Sequence, residues 1–546
     1  MNLTQTHQQL ASLNAEQLRA LVLLQGQKMF EQSQRMSEQN QKMFEQEQQL
    51  LQRDQTITDQ QIRIKFVETV LAKTQLELAV LRRIRFSKSA ESFTQEQKHL
   101  FDETLDGDSA QIEEELFLDL PEAQKAAVVR TQPKRKPLPA ELPRTEIRHE
   151  PESTTCSCGC QLKRMGEDVS EKLDYTPGTF SVERHIRGKW VCTACETLIQ
   201  APIPAHVIDK GMATTGLLAQ VLVNKFADHL PLYRQQQIFA RTGYALSAST
   251  MGAWVGQCGA VLQPLVDALR DVVLKQTVLH ADETPIILLT AGNKSNGVAS
   301  KKAYLWAYAT TQHSDIKAVV FDFAEGRGGQ HAKLFLDDWS GTLICDDYKG
   351  YKALIKDNQI LEAGCMAHAR RKFFDLHAAN KSQIAQDALS QFKEIYRIES
   401  ELQDLSPEDR LHKRQTEIKP RMDQLRQWLL DYRLKVPDGS GTMKAIDYSL
   451  RRWEALTTFL NHADTPIDNN WVENQIRPIA VGRKNWLFAG SLRSGKRNAV
   501  IMSLVQSAKL NGLNPLEYLK SVMDRLPTQP YSKIEELLPH NWKPDS

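Results

Sequence analysis

Apolar positions in this chain change their period several times, and each change predicts a different element. Near the N-terminus they recur every seven residues, at Val22, Met29, Met36, Met43, Leu50, Ile57, Ile64, Leu71 and Leu78. Residues 16–85 contain no proline and are rich in Gln, Glu and Lys, and the segment Gln-Lys-Met-Phe-Glu-Gln at 27–32 returns at 41–46. Sustained spacing of this kind predicts a coiled-coil helix over 1–90. The stripe has no apolar partner nearby in the chain, so self-association is expected. The second seam is poor at Gln32, Gln39 and Gln46 and improves near Val67 and Leu81. Packing on the protein's own body is the alternative.

Over 206–275 the period is helical, through Leu217, Leu218, Val221 and Leu222, then Leu232, Ile238 and Phe239, then Met251, Trp254 and Val255. A break at Thr242-Gly243-Tyr244 precedes Ser247-Ala248-Ser249-Thr250, whose hydroxyls suit a helix N-cap. Helix, Gly-containing turn and capped helix are compatible with helix-turn-helix DNA binding. From 277 the runs shorten to strand length, at 277–281, 285–290, 303–310, 316–323 and 342–346, with a hairpin loop at Gly292 to Gly297 and a helical run at His331–Trp339. Three hairpin-connected strands, a helix and a further strand follow the order of a ribonuclease-H-like α/β fold, whose first part is assigned to 276–376. A charged helical pattern then carries Leu389, Phe392, Ile395, Leu402, Ile418, Met422, Leu425 and Leu429. This predicts a helical insertion over 377–465. A short helix opening at Asp468 or Asn469 and ending near Pro478 begins the segment 466–500, and a helical tail occupies 501–546.

Composition adds two features. The net charge of +2 argues for no partner, but acids crowd residues 102–119 and bases interleaved with prolines crowd 125–148, so 91–148 reads as a linker. Five of the eight cysteines fall within 156–195. No apolar run approaches the roughly 18 residues of a membrane span, and the N-terminus has no basic-then-apolar leader pattern. A cytoplasmic protein, nucleoid-associated when bound to DNA, is expected. In a reducing compartment crowded cysteines favour metal over disulfide. Cys192-Thr193-Ala194-Cys195 is a Cys-x2-Cys knuckle, and Cys156-Ser157-Cys158-Gly159-Cys160 is irregular. A zinc-ribbon-like module over 149–205 would bind structural Zn²⁺ through Cys192, Cys195 and Cys158, with Cys156 or Cys160 as the fourth ligand.

The candidate chemistry lies where acids interrupt apolar β-formers. Asp282 and Glu283 follow Val278-Leu279-His280-Ala281, Asp346 ends Leu343-Ile344-Cys345, and Glu473 lies one turn into the helix after Asp468-Asn469-Asn470. Carboxylates in such runs are costly to bury unless paired or metal-bound. Together Asp282, Asp346 and Glu473 would hold two Mg²⁺ (or Mn²⁺) ions about 4 Å apart for phosphodiester chemistry, with Asp282 bridging them. Glu283 is expected to support Asp282 or to face DNA. From Asn474 to Leu516 there is no acid, while Arg477, Arg483, Lys484, Arg493, Lys496 and Arg497 are basic, with Trp486 and Phe488 among them. This predicts a grip on DNA phosphates and on an unpaired or distorted end. His368, Arg370 and Arg371, in Cys365-x2-His368-x-Arg370-Arg371, are expected to face DNA or the acids.

Several motifs carry a resemblance: His280-Ala-Asp-Glu-Thr-Pro285, Asp346-x-Tyr348-x-Gly350-Tyr351, Cys365-x2-His368-x-Arg370-Arg371, and Asp468-Asn-Asn-x-x-Glu473-x3-Arg477-Pro478-x3-Gly482-Arg-Lys-Asn-Trp-Leu-Phe488. Nearly the whole chain resembles the transposases of the insertion sequence 66 family. The resemblance implies a DDE-type recombinase with Mg²⁺, catalytic Asp282, Asp346 and Glu473, and Asp346 rather than Asp347 because it keeps the Asp-x-Tyr spacing. The departure is at the cysteines, where the family's first Cys-x2-Cys would begin at Thr155 and this chain has Cys156. The expected activity is binding of element ends, metal-dependent cleavage and strand transfer into target double-stranded DNA, with accessory proteins of the same element as further partners. The alternatives are a ribonuclease-H-like nuclease without strand transfer and a non-catalytic DNA-binding scaffold.

Overall fold

The computed structural model describes residues 137–544, apart from 152, 156–159, 177, 203, 209–210, 291–298 and 358–359, together with scattered positions from Gln41 to Thr74. Two units are distinguished, Met1–Ala72 and Lys73–Ser546. In the first, every described position is helical, and Met43, Ile57, Ile64 and Leu71 are exposed. The remaining members of the heptad register, residues 91–136, Cys156, Cys158 and the Gly292 to Gly297 loop lie outside the described residues.

The second unit begins with a small sheet. Strands β1 (Arg144–His149), β2 (Leu162–Thr176), β3 (Thr179–Cys192) and β4 (Leu198–Gln200) surround the long β2–β3 hairpin. Arg144–His149, expected in the linker, is instead a strand parallel to β3. Arg144 starts it by bonding Glu171 at 2.9 Å and donating to the carbonyls of Pro139, Ala140 and Leu142. Cys192 ends β3, and its amide donates to Thr197 O at 3.0 Å while Glu196 N donates back to Cys192 O, forming a tight knuckle. Cys160 packs in the same small apolar cluster as Leu162 and Cys192.

Four helices follow: α1 (Thr215–Phe226), α2 (Leu232–Arg241), α3 (Ala248–Val261) and α4 (Gln263–Leu274). Ser247 caps α3 by accepting from Thr250 N, yet Met251, Trp254, Val255 and Cys258 bury that helix in the main core. The surface that a helix-turn-helix would lay in a groove is therefore confined to its first turn. The α2–α3 pair thus packs largely into the main core.

The central sheet contains β5 (Val278–Thr290), β6 (Ala299–Thr310), β7 (Val319–Ala324), β8 (Thr342–Cys345) and β9 (Leu361–Gly364), in the order β7-β6-β5-β8-β9. The first three form an antiparallel meander, and β8 and β9 run parallel to β5. Helix α5 (Gly329–Leu336) precedes β8, and α6 (Lys349–Asp357) links β8 to β9, a strand the sequence pattern did not indicate. The expected strands at 277–281 and 285–290 are one continuous strand, with Pro285 inside it. Ile287 O and Leu289 N bond Ala489, outside the β5–β6 ladder. By alternation Pro285 also turns its nitrogen away from β6, so the missing N–H removes no ladder bond.

A helical insertion then occupies α7 (Met366–Asn380), α8 (Gln383–Ser400), α9 (Pro407–Lys413), α10 (Lys419–Arg433), α11 (Gly441–Arg451) and α12 (Trp453–Thr457). It has its own core around Phe373, Phe392, Ile395, Met422, Leu425 and Leu429. Helices α13 (Asn470–Trp486), α14 (Leu492–Leu510) and α15 (Pro515–Arg525) return to the sheet. Helix α13 runs on through Pro478, where a stop was expected, because burial of Val472, Ile476, Ile479 and Trp486 outweighs the one lost backbone bond. The expected start of a tail at 501 falls inside α14.

Both edges of the sheet are covered. At β7, Val319 N and Phe321 N donate to the Ser507 and Ser503 hydroxyls of α14 at 3.0 and 2.8 Å. At β9, Thr458 of the insertion donates to Glu362 O at 2.9 Å. Covered edges cannot pair with other chains. Among the described residues, no helix is long and apolar enough to cross a membrane.

Candidate active site

Register brings the first two acids together. His280 pairs with Ile344 in the parallel β5–β8 ladder. Two residues on, Asp282 and Asp346 stand at the same level beyond the end of that ladder, on chains that neighbour each other at a spacing of about 4.8 Å. The 64-residue separation of these acids is thus a sheet register.

A buried latch brings the third. His280 Nδ1 lies 2.7 Å from Asn469 Oδ1, and the Asn469 amide nitrogen donates to Ala281 O at 3.0 Å. Asn469 N donates to Cys365 Sγ at 3.2 Å. These bonds hold the start of α13 against β5, and Glu473 follows one turn later. Asp468 accepts from Asn470 N and from the Tyr396 hydroxyl of the insertion, at 3.0 and 2.8 Å. Sequence spacing gives no sign of the latch itself; the Asp-Asn-Asn triplet before a helix is its one visible trace.

Electrostatics separates acids that have partners from acids that do not. Burial first, and then the charge of Glu283, push the Asp282 carboxyl up to about 8, with Glu473 and Asp346 adding to the rise. The amide of Glu283 donates to Asp282 Oδ1 at 2.8 Å and only partly offsets this. At about 1.4 kcal/mol per tenfold change, opposition to ionisation is on the order of 5 kcal/mol as an upper limit. A surface ion pair is worth about 0–1 kcal/mol and could not balance it. Glu283, by contrast, is turned away: its side chain is 1% exposed, bonds Arg327 at 2.6 Å and accepts from Tyr351 at 2.9 Å. These two partners hold its carboxylate away from solvent.

Asp346 and Asp347 divide in the same way. Asp347 is within 3.3 Å of both Arg451 and Arg452, and Lys352 approaches to 3.4 Å. Arg452 also pairs with Glu362, which Lys352 reaches at 2.6 Å. Asp346 accepts from Tyr348 N at 2.9 Å and joins no ion pair among the described residues. This leaves Asp346 as the acid open toward Asp282.

Around Glu473, His368 Nδ1 lies 3.7 Å from Oε1 and Arg371 lies 3.7 Å from Oε2. His368 Nδ1 and Glu473 Oε1 are buried without a hydrogen-bond partner. Arg370 and Arg371 are exposed.

The expected DNA grip is divided by burial. Arg477, Lys484 and Lys496 are exposed, and Arg493 is half-buried. Arg483 ties α13 to β5 through Thr284 Oγ1 and Pro285 O, at 3.3 and 2.9 Å. Trp486 and Phe488 are core residues, and Arg497 is buried against Gly259, where a Cβ would collide with it. Trp486 and Arg497 are therefore buried parts of the scaffold. The acid-free stretch is largely scaffold too, because much of α14 lies in the apolar core beside β7.

Comparison with known proteins places this geometry. The model described as "Transposase IS66 family" matches residues 210–497, which span the sheet, the insertion and all three acids. "Zinc-finger binding domain of transposase IS66" matches 153–196, and "IS66 C-terminal element" matches 503–540. "Transposase C of IS166 homeodomain" matches 74–147. The uncharacterized protein y4jD of Sinorhizobium fredii (strain NBRC 101917 / NGR234) is 40% identical over 423 residues, 75% of this chain and 82% of its own length. The uncharacterized protein y4qI of the same strain is 38% identical over 431 residues, 76% of this chain and 79% of its own length. The chain belongs to the IS66 family of transposases.

Proposed function

We propose that this transposase cuts DNA at the ends of its mobile element and transfers the freed 3′-hydroxyl into target DNA, with Asp282, Asp346 and Glu473 as its acidic centre. The observation that carries this reading is the β5–β8 register that sets Asp282 and Asp346 level, together with the His280–Asn469 bond that holds the start of the Glu473 helix against β5. The sheet order, an antiparallel meander followed by two parallel strands, supports a ribonuclease-H-like core interrupted by the insertion.

The residues fit divalent cations. An all-oxygen donor set suits Mg²⁺ or Mn²⁺, and the lifted Asp282 carboxyl together with the unpartnered Glu473 Oε1 favours a positive ion. Two bound cations would supply activation of an oxygen nucleophile and neutralisation of charge at phosphorus. The chain's own residues do the positioning. His280 and Asn469 fix the distance of Glu473 from β5, and Arg451, Arg452 and Lys352 hold the end of β8. In cutting, a water oxygen bonds to phosphorus as the bond to the 3′ oxygen breaks. In joining, that 3′ oxygen bonds to a phosphorus of the target as the bond from that phosphorus to the target strand's own 3′ oxygen breaks. Arg477, Lys484, Lys496, Arg370 and Arg371 are the exposed bases offered to DNA phosphates.

The cysteine region fits structural Zn²⁺ through Cys192, Cys195 and Cys158, with Cys156 or Cys160 as the fourth ligand; the packing of Cys160 beside Cys192 favours Cys160. The exposed heptad positions support self-association, which suits an enzyme that brings two ends together. Incubation with Mg²⁺, labelled end DNA and a plasmid tests the whole reading. Cleaved ends joined to plasmid are expected, and hydrolysis without any joined product would replace strand transfer with nuclease activity.

A further inference from the structure

Cys365, His368 and Glu473 each offer a ligand atom, and these atoms lie within 4.8 Å of one another. We propose that they form a binding site for a thiophilic divalent cation of the Zn²⁺ or Cd²⁺ class, distinct in chemistry from the all-oxygen centre beside it.

The local structure converges on this point from three directions. Cys365 ends the chain leaving β9 and precedes α7, and His368 stands on the first turn of that helix. Glu473 stands on the first turn of α13, so two helix N-termini point at the cluster and favour negative ligands there. His368 Nδ1 and Glu473 Oε1, 3.7 Å apart, are both buried without a hydrogen-bond partner. Buried polar atoms left unsatisfied are uncommon, and a shared ion satisfies both at once. Sulfur and imidazole select Zn²⁺ or Cd²⁺ over Mg²⁺, whereas carboxylates alone do not. Three protein ligands with an open fourth position is a familiar zinc arrangement, and water or a DNA phosphate oxygen would fill it.

Bonds of about 2.0–2.3 Å to a tetrahedral ion put ligand atoms about 3.3–3.8 Å apart. Closing the site therefore asks for movement on the order of 1 Å, within reach of side-chain rotation. As the ion binds, the Cys365 sulfur exchanges its proton for the metal and the proton passes to solvent. Glu473 is shared with the hard-cation centre proposed above, so the two kinds of ion compete for it. The site itself does not depend on strand transfer.

Cadmium NMR of the full-length chain loaded with Cd²⁺ reads the ion directly, since its resonance moves strongly with each thiolate bound. A resonance in the single-thiolate region is expected, separate from any thiolate-rich resonance of the cysteines within 156–195. Cys365→Ser should abolish it, and serine keeps an acceptor for Asn469 N–H so that the latch survives. His368→Asn, at a half-exposed position, should shift or abolish it with the thermal midpoint retained. No single-thiolate resonance in the wild type would overturn the proposal, as would one that both variants leave unchanged. A missing thiolate-rich resonance would instead count against the zinc module alone, and absent strand transfer against the catalytic reading alone.

Discussion

Buried charge is handled in opposite ways in two regions of this chain. In the insertion, Glu399 meets the fully buried Arg414, whose guanidinium also donates to the carbonyls of Phe459, His462 and Ala463 at 2.9–3.1 Å. Both members of that pair are answered, within a helical body that has its own core. Within β5, Asp282 is coupled to Glu283, Glu473 and Asp346 and joins no ion pair among the described residues. Matched buried charge marks scaffold, and unmatched buried charge marks a place held for something that arrives later.

The largest effect that would break this comparison concerns the acids. Asp282→Asn, Asp346→Asn and Glu473→Gln should each lower end cleavage by at least ~10³-fold, the scale of several kcal/mol of transition-state stabilisation, while leaving the fold intact. Full activity in an end-cleavage assay of any one would remove that residue from the centre. In the insertion the sign reverses. Arg414→Met leaves Glu399 buried alone and should cost about 3–5 kcal/mol in denaturant unfolding. Adding Glu399→Leu should restore most of that loss, because an apolar pair of similar size replaces the ion pair.

Acidity sharpens the contrast further. The Asp282 carboxyl is raised from its ordinary value of 3.8 to about 8. Below about pH 4 it is protonated in both folded and unfolded chains, so its contribution is greatest there. As pH rises toward 8 the unfolded chain releases the proton first, and stability falls. In buffer without divalent cations, the difference between wild type and Asp282→Asn should grow over this window to roughly 2–3 kcal/mol, less than the upper limit because water screens the cleft. A pH-independent difference in thermal unfolding would contradict the unmatched-charge account. The smallest expected effect separates grip from scaffold. Arg477→Ala should reduce the salt slope of DNA binding by about 1, whereas Arg497→Ala should lower stability and leave that slope unchanged.

Periodicity carried much of this structure in the sequence. The antiparallel meander, the β8 strand leading to Asp346 and the apolar stripes of the insertion follow from spacing that physics reads directly. Three things were hidden, each because a distant partner decided it. Pro285 looked like the start of a second strand and Pro478 like a stop, yet one lies on the open side of a single strand and the other in a helix held by tertiary packing. The acid-free stretch looked like a DNA surface, but charge pattern does not say which side of a helix is inside, and Trp486 and Arg497 are buried. The His280–Asn469 bond joins residues 189 positions apart, and nothing local announces it.

The covered edge at β7 also has a consequence in time. A chain emerging during synthesis carries the meander well before Ser503 and Ser507, so its outer strand must wait with open backbone groups. Glu473 likewise arrives only after the insertion has been made. A product ended before Glu473 therefore lacks both the third acid and the serine cap, which leaves the β7 edge uncovered. Completeness of translation thereby becomes a condition of assembly, since only a chain made past Glu473 holds all three acids of the proposed centre.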